Sequence, residues 1–416
     1  NKKVDLVGIS FCTHLAVRAY EIADEFRQRG IPVILGGVHS AFFPKEALDH
    51  ADCVLIGEAE DLWSKVLVDF ENGRLQRTYE QKDFVDLGNR PIPRWDLVDP
   101  KNYYCFNVQV GRGCPHHCEF CIVHGFFGKT YRHKQIADIV EEIKYLKAID
   151  FRKPIFFCDD NILSDQNFSK DLFDALIPLN IRWWCQASMD KLKDEKTLEL
   201  MYKAGCRMVL IGFESVSQES LVFMGKEKVN IVDEYKKIIA AIYRNGIGIT
   251  GFFVVGTDSD DQGSFTRIEK FIQETNIAFV MLNILMPFPG TALREKMLKE
   301  NRITEDDWAQ YTMEGVAFKI KNFTKDEIIT ARKKFLKRIY SPQSLSQRLY
   351  RAWEQGAFIS AKKKVFTRGR VLFALIVFIR LFPDIKKIIF TFRCLLKKEA
   401  PSLASIALAI NFYDEP

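Results

Sequence analysis

The chain has 416 residues, 47% of them hydrophobic and 27% charged, with 34 Phe. That composition excludes a disordered or fibrous chain and allows two or three domains with large cores. Net charge is +6, yet residues 331–398 hold 18 Lys and Arg against Glu354 and Asp384, a net of +16, which leaves −10 on the rest. A basic tail on an acidic body suggests an anionic contact: a membrane surface, nucleic acid or an acidic partner. No signal-peptide pattern opens the chain, and three of its ten Cys fall within eight residues. Clustered Cys in a reduced, cytoplasmic setting point to metal rather than to disulfides. The chain opens on Asn rather than Met, which reads as a fragment with its start upstream.

Residues 1–75 alternate strand and helix. Val4–Ser10 is a strand-like apolar run, and Leu15–Arg29 has helical periodicity stopped by Gly30. Val33–Leu35 and Cys53–Ile56 are short strands ending in Gly36-Gly37 and Gly57-Glu58. Three parallel strands with intervening helices predict part of a doubly wound sheet. Residues 76–104, with Asn89-Arg90-Pro91-Ile92-Pro93, read as a linker.

Residues 105–290 repeat the rhythm. Strands are expected at Phe106–Val110, Pro154–Cys158, Arg182–Ala187, Met208–Phe213, Gly248–Val255 and Ala278–Leu285. Helices are expected between them, as at Ile136–Ile149, Asp194–Ala204 and Ile231–Asn245. Six βα units in this length fit a partial TIM-like (β/α)6 barrel, whose ligands sit at the C-terminal ends of the strands. Residues 291–416 read as helical. The apolar runs Val371–Ile379 and Leu403–Ile410 are too short to span a bilayer, which needs about 20 residues.

The strongest chemical signal is Gly111-Arg-Gly-Cys114-Pro-His-His-Cys118-Glu-Phe-Cys121. The spacing C-x3-C-x2-C follows the first barrel strand directly. Three thiolates on a short loop can wrap one face of an iron–sulfur cluster and leave one iron open, as catalytic zinc sites leave one position open. A zinc site completed by His116, His117 or His124 is an alternative. So is an electron-transfer cluster with a fourth ligand from Cys105 or Cys158.

This motif, with Phe120 before the third Cys, resembles the signature of the radical S-adenosylmethionine (SAM) superfamily. The resemblance covers residues 105–290. It implies a 4Fe-4S cluster on Cys114, Cys118 and Cys121 and a 5′-deoxyadenosyl radical made from SAM. It also implies an external reductant such as ferredoxin or flavodoxin. The barrel frame then offers cofactor candidates. Asp159 and Asp160 suit the methionine ammonium, with helix capping as the alternative role. Gln186, Ser188 and Asp190 end the third strand. Gly212-Phe213-Glu214-Ser215 looks like the family's Gly-x-Glu-Ser turn and puts Glu214 near the ribose, with a structural role as its alternative. Gly251 belongs to a glycine pattern, and Pro287 opens a Pro-Gly-Thr-like turn near the adenine.

The N-terminal segment resembles the cobalamin-binding domains fused to many radical SAM proteins. The likeness rests on Ser10, Gly36-Gly37-Val38-His39 and Gly57-Glu58-Ala59-Glu60. It implies that Ser10, Gly36 and Gly37 cradle a cobalamin tail. The family's Asp-x-His-x-x-Gly element is absent, and His39 reads as a turn residue. The fold expected is α/β: a truncated Rossmann-like cobalamin-binding domain, a linker, the barrel, and a helical C-terminal region with a basic tail.

The expected function is that of a radical SAM enzyme, with cobalamin-class methyl transfer or other C–H functionalisation of a small-molecule or lipid-like substrate. The basic–apolar tail suggests peripheral contact with the inner face of the membrane, and no nucleic acid is expected. Two alternatives stand: a cobalamin-independent cyclase or desaturase, and a non-catalytic iron–sulfur or zinc protein.

Overall fold

A computed structural model describes residues 4–88 and 90–358. The basic run after residue 358 and both apolar runs expected there lie outside the described residues.

The chain builds two parallel sheets. The first holds β1 (Val7–Ser10), β2 (Val33–Gly36), β3 (Cys53–Ile56) and β4 (Thr78–Glu80), in that order. Helices α1 (Ala16–Gln28), α2 (Val38–Phe42), α3 (Pro44–Asp49) and α4 (Trp63–Glu71) connect them. Alternate side chains face opposite sides of a strand. Val33, Leu35 and Val54 accordingly pack with Ala16, Ala19 and Ala23 of α1. Ile34, Cys53 and Leu55 pack with Val66 of α4 on the other face.

Both faces are covered, as a doubly wound sheet requires, but two expectations change. The strands number four rather than three, because Thr78–Glu80 inside the expected linker pairs with β3. Their order is sequential, without the reversal that gives a doubly wound sheet its switch-point crevice.

The second sheet runs β5 (Phe106–Val108), β8 (Ile155–Phe157), β9 (Trp183–Gln186), β10 (Cys206–Glu214), β11 (Gly248–Val255) and β12 (Phe279–Ile284), parallel throughout and in sequence order. Between its first two strands lies a small antiparallel ladder, β6 (Gly111–Arg112) with β7 (Arg132–His133). The first expected strand, Phe106–Val110, thus ends two residues early and turns into this ladder.

Helices α5 (Val123–Phe126), α6 (Ile136–Ile149), α7 (Gln166–Leu176), α8 (Glu195–Lys203), α9 (Gln218–Phe223), α10 (Tyr235–Arg244) and α11 (Gln262–Thr275) fill the connections. Their starts are marked by polar caps: Asp165 on α7, Asp194 on α8, and an Asp261–Ser264 capping box on α11.

The strands are two-sided. Ile155, Phe157, Trp183, Cys185, Val209, Ile211, Phe213 and Phe253 are buried in the main core. The alternate positions, Phe156, Trp184, Leu210, Phe252 and Met281, are only half-buried and form the opposite face. In register, Gly212 stands beside Phe252 and Phe252 beside Met281.

Three further helices follow: α12 (Ala292–Lys299), α13 (Lys325–Ile339) and α14 (Pro342–Glu354). Arg348 of α14 is fully buried and donates to the carbonyls of Ala278 (2.8 Å) and Ile339 (2.6 Å), tying α14 to the start of β12. Among the described residues no helix is long and apolar enough to cross a membrane.

Candidate active site

The loop carrying Cys114, Cys118 and Cys121 leaves β6 at the C-terminal end of the six-stranded sheet. Glycines make its approach possible. A side chain on Gly111 would overlap the Tyr131 ring, and one on Gly113, at φ +90°, would run into the Thr130 carbonyl. The loop is then fixed at three points. The Cys114 amide donates to Gly128 O (3.4 Å), the Glu119 amide to Met224 O (2.9 Å), and the Leu293 amide to Glu119 O (2.8 Å).

Cys118 is buried, and Cys114 and Cys121 are half-buried. Burial pushes all three thiols up, Cys114 to about 11 and Cys121 to about 12. Lys226 pulls the other way at Cys114 and Cys118. The thiols feel one another's charge. Among the described residues, however, no three His, Cys, Asp or Glu side chains converge to chelate one ion. A cubane asks for no such convergence, since each thiolate binds a different iron, so the donor set fits three-point attachment of a cluster. The His116, His117 and His124 rings do not complete a mononuclear site. Cys105, one candidate for a fourth thiolate, lies at the opposite end of β5, beside Asn107 (3.4 Å). The charged neighbours of Cys158 are Asp159, Asp160 and Glu142.

At the end of β8 the two adjacent aspartates part company. Asp159 turns into the core, 1% exposed, and accepts from the Val110 amide (3.1 Å), the Gly111 amide and Tyr131 OH (3.1 Å). Burial raises its carboxyl to about 7. Its oxygens are committed to the first strand and the Tyr131 ring, so the expectation that it meets a cofactor gives way to a structural role. Asp160 points outward, close enough to raise the Cys114 and Cys121 thiols; its own desolvation lifts it to about 6.

Asn161, which sequence reasoning passed over, organises the next strand end. Its Nδ2 donates to Ser188 Oγ (3.0 Å) and its Oδ1 accepts from the Ser188 amide (3.1 Å). Gln186 reaches the Asp159 carbonyl at 3.5 Å. Asp190 stands 3.6 Å from His116 of the cysteine loop. Burial works against its charge, but His116 and Ser188 outweigh it and hold the carboxyl at about 2.

Glu214 ends β10 after a register shift, at φ +60°, a conformation costly for a non-glycine residue. Its carboxylate pairs with Lys226, another residue the sequence did not flag, and Lys226 also donates to Gly212 O (3.1 Å). The pair is almost sealed, with side chains 8% and 12% exposed. The absent side chain of Gly212 makes room for it, because a Cβ there would overlap Glu214 Oε1 and lie 2.8 Å from Lys226 Nζ. Lys226 lies beside Cys118 and Cys121.

Gly251 corrects the sequence reading. It sits mid-strand in β11, and its missing side chain would meet Phe253, Ile277 and Phe213 at 3.1–3.3 Å. It faces the helices, not the open strand ends. Phe120 is half-buried against the main core. Pro287 is buried, and its carbonyl accepts from Arg294 (3.3 Å).

Ser10, Gly36 and Gly37 meet at the C-terminal end of the N-terminal sheet, where Ser10 is the register partner of Gly36. Gly37, at φ +94°, lets the strand ends close: a Cβ would lie 2.6 Å from Phe11 O and 2.9 Å from Ser10 Oγ. Ser10 is exposed. His39 is fully buried in α2, 3.3 Å from Glu46 and edge-on to Trp308. Phe42 of the same helix lies against Gly125 and Gly290, beside the cysteine loop.

The family model described as the radical SAM superfamily matches residues 108–268. The chain is 31% identical over 376 residues to the bacteriochlorophyllide d C-8(2)-methyltransferase of Chlorobaculum tepidum, spanning 82% of this chain and 81% of that one. It is 26% identical over 327 residues to the hopanoid C-2 methylase of Rhodopseudomonas palustris, spanning 76% and 61%. Among solved structures, the radical SAM methyltransferase TsrM of Kitasatospora setae, with cobalamin and a [4Fe-4S] cluster bound, superposes with a TM-score of 0.65 at 14% identity. That match covers 95% of this chain and 89% of that one, a likeness of fold.

Proposed function

Because this chain belongs to the radical SAM superfamily, we propose that it is a cobalamin-class methyltransferase acting on an unactivated carbon of a largely apolar, polycyclic or lipid-like substrate. The carrying observation is the three-cysteine loop held at the open strand ends, with Glu214 bent toward it beside Lys226. We read the six-stranded sheet as the partial barrel and the four-stranded sheet as the cobalamin-binding unit.

With a 4Fe-4S cluster, SAM and cobalamin bound, the chemistry supplied is reductive cleavage of one SAM to a hydrogen-abstracting radical and delivery of a methyl group derived from a second. The residues supply the rest. Cys114, Cys118 and Cys121 would hold the cluster. Asp160 presents a carboxylate to the methionine ammonium. Glu214 accepts from the ribose hydroxyls, and Lys226 offsets its charge and that of the thiolates. Ser10 offers a hydroxyl at the tip of the N-terminal sheet, while His39, sealed beside Trp308, is not free to ligate cobalt.

The substrate reading has two supports. The relatives are named for methylating a bacteriochlorophyllide and a hopanoid. The half-buried face of the barrel is lined by Phe156, Trp184, Leu210, Phe252 and Met281, an apolar wall of the kind that takes flat hydrocarbon rings.

The test is anaerobic reconstitution with iron and sulfide, then dithionite and SAM, with 5′-deoxyadenosine measured by mass spectrometry beside Cys118→Ala. Product from the wild type and none from the variant supports the reading. Zinc in place of iron, or no product from a confirmed four-iron cluster, overturns it. Hydroxocobalamin titrated by absorbance, with no binding at micromolar protein, would move the assignment to a cobalamin-independent radical enzyme.

A further inference from the structure

The turn Gly57-Glu58-Ala59-Glu60 follows β3 in the N-terminal sheet, yet its two carboxylates are spent on the cysteine loop's own support. Glu58 is 5% exposed. Its Oε1 accepts from Arg112 Nη1 (2.7 Å) and Arg132 Nη2 (3.1 Å). Its Oε2 accepts from the Val85 amide (3.0 Å) and lies 3.0 Å from Arg132 Nη1. Glu60 takes the other Nη of Arg112 (2.6 Å), and Arg112 Nε goes to Gln109 (2.8 Å). Arg112 and Arg132 are register partners across β6 and β7.

From there the chain of contacts reaches the first cysteine. Arg132 donates to Phe127 O (3.1 Å), and the Phe127 and Gly128 carbonyls press on Gly113, where a Cβ would lie 3.2 Å from each. The Cys114 amide ends on Gly128 O. A buried ion pair contributes little net stability against well-packed apolar residues, because desolvation offsets the attraction. What a carboxylate gripped by two planar guanidiniums does supply is geometry.

We propose that Glu58 is a positioning residue for the radical site, clamping the β6–β7 ladder through Arg112 and Arg132 so that Cys114 holds its place relative to the N-terminal sheet. The inference rests on Cys114 being a cluster ligand, but its mechanical half does not. The test is hydrogen–deuterium exchange on full-length Glu58→Gln, without and with the reconstituted cluster. The control is Asp69→Asn, a buried carboxylate of α4, which packs on the same sheet; it accepts from Tyr79 OH (2.9 Å) and Arg74 (2.8 Å), away from the ladder.

Exchange across residues 111–134 should rise tenfold or more in Glu58→Gln and stay within twofold of wild type in Asp69→Asn. At equal iron content, the electron paramagnetic resonance g values of the reduced cluster should shift only in Glu58→Gln. If that variant does not fold, Arg132→Lys, which keeps the charge and loses the fork, should give the same pattern. Exchange within twofold of wild type in whichever of these two variants folds, or an equal rise in Asp69→Asn, would overturn the proposal. Unchanged g values beside raised exchange would overturn its link to the cluster.

Discussion

Two glycines on neighbouring strands separate a site-facing position from a core-facing one. In Gly212→Ala the added methyl collides with Glu214 Oε1 and lies 2.8 Å from Lys226 Nζ. Both are ends of flexible side chains, but each is tied: the Glu214 carboxylate to Lys226, and Lys226 to the Gly212 carbonyl at 3.1 Å. Overpacking of this kind costs about 1–3 kcal/mol. At about 2 °C per kcal/mol for a large domain, the midpoint of thermal unfolding should fall by about 2–6 °C.

The functional loss should exceed that. Glu214 is driven from the pose in which it faces the cysteine loop, so 5′-deoxyadenosine formation should drop at least about tenfold at an unchanged iron content, equivalent to roughly 1.4 kcal/mol of transition-state stabilisation. Gly251→Ala is the counterpart. Its methyl meets Phe253, Ile277 and Phe213 at 3.1–3.3 Å on the helix side. It should lower stability by a similar amount and leave SAM cleavage within about twofold of wild type at a permissive temperature. Scanning fluorimetry, iron determination and mass spectrometry read all three quantities. A Gly212→Ala protein with wild-type melting and turnover would refute the idea that the empty Cβ space of Gly212 holds the Glu214–Lys226 pair, and equal activity losses in both variants would refute the assignment of faces.

Other expectations follow from the same contacts. Lys226→Met leaves the Glu214 charge buried and unpaired, which should cost about 3–5 kcal/mol by urea denaturation. Adding Glu214→Gln should recover a large part of that, a positive coupling in a double-mutant cycle. Asp159 gives a pH signature. The unfolded chain releases that proton near 3.9 while the folded chain keeps it to about 7. Between those values the folded state binds more protons, so stability falls as pH rises, by up to about 4 kcal/mol from this group. The urea midpoint of the wild type should therefore decline more steeply from pH 5 to 7.5 than that of Asp159→Asn. Parallel curves would remove the buried carboxyl as the cause.

How far the sequence reaches depends on the range of the contact. Apolar runs such as Gly248–Val255 carry their own strand signal, and the expected and observed limits coincide there. The strand Thr78–Glu80 does not, because three residues with one buried ring, Tyr79, leave no period to detect. The cysteine motif is wholly local and therefore plain. The choice between Asp159 and Asp160 is not. It depends on which face of β8 is buried, and Phe156-Phe157 gives both faces the same chemistry. The structure resolves it by parity: Phe157 and Asp159 go inward, and Phe156 and Asp160 go to the open side. Gly251 fails for the same reason, its pattern being visible and its face not. Lys226 has no local mark at all, since it matters only because the turn after α9 folds back under Glu119.

The N-terminal sheet is bound into the radical site rather than appended to it. Glu46 is shared by Tyr20, His39 and Trp308, the last of which lies 262 residues away and reaches it at 2.9 Å. Phe42 fills the space that Gly290 and Gly125 leave open, next to the cysteine loop. Glu58 and Glu60 hold Arg112 two residues before Cys114. These three contacts lie at different points along the interface, and one of them places an aromatic ring where glycine backbone is bare. A sheet free to swing would uncover the aromatic rings of Phe42 and Trp308 that these contacts shield, which the hydrophobic effect opposes. Closure of the two units on one another is therefore the ground state of this chain. Any substrate that must reach the half-buried face of β8–β12 has to enter by a route that leaves the Glu58 clamp in place.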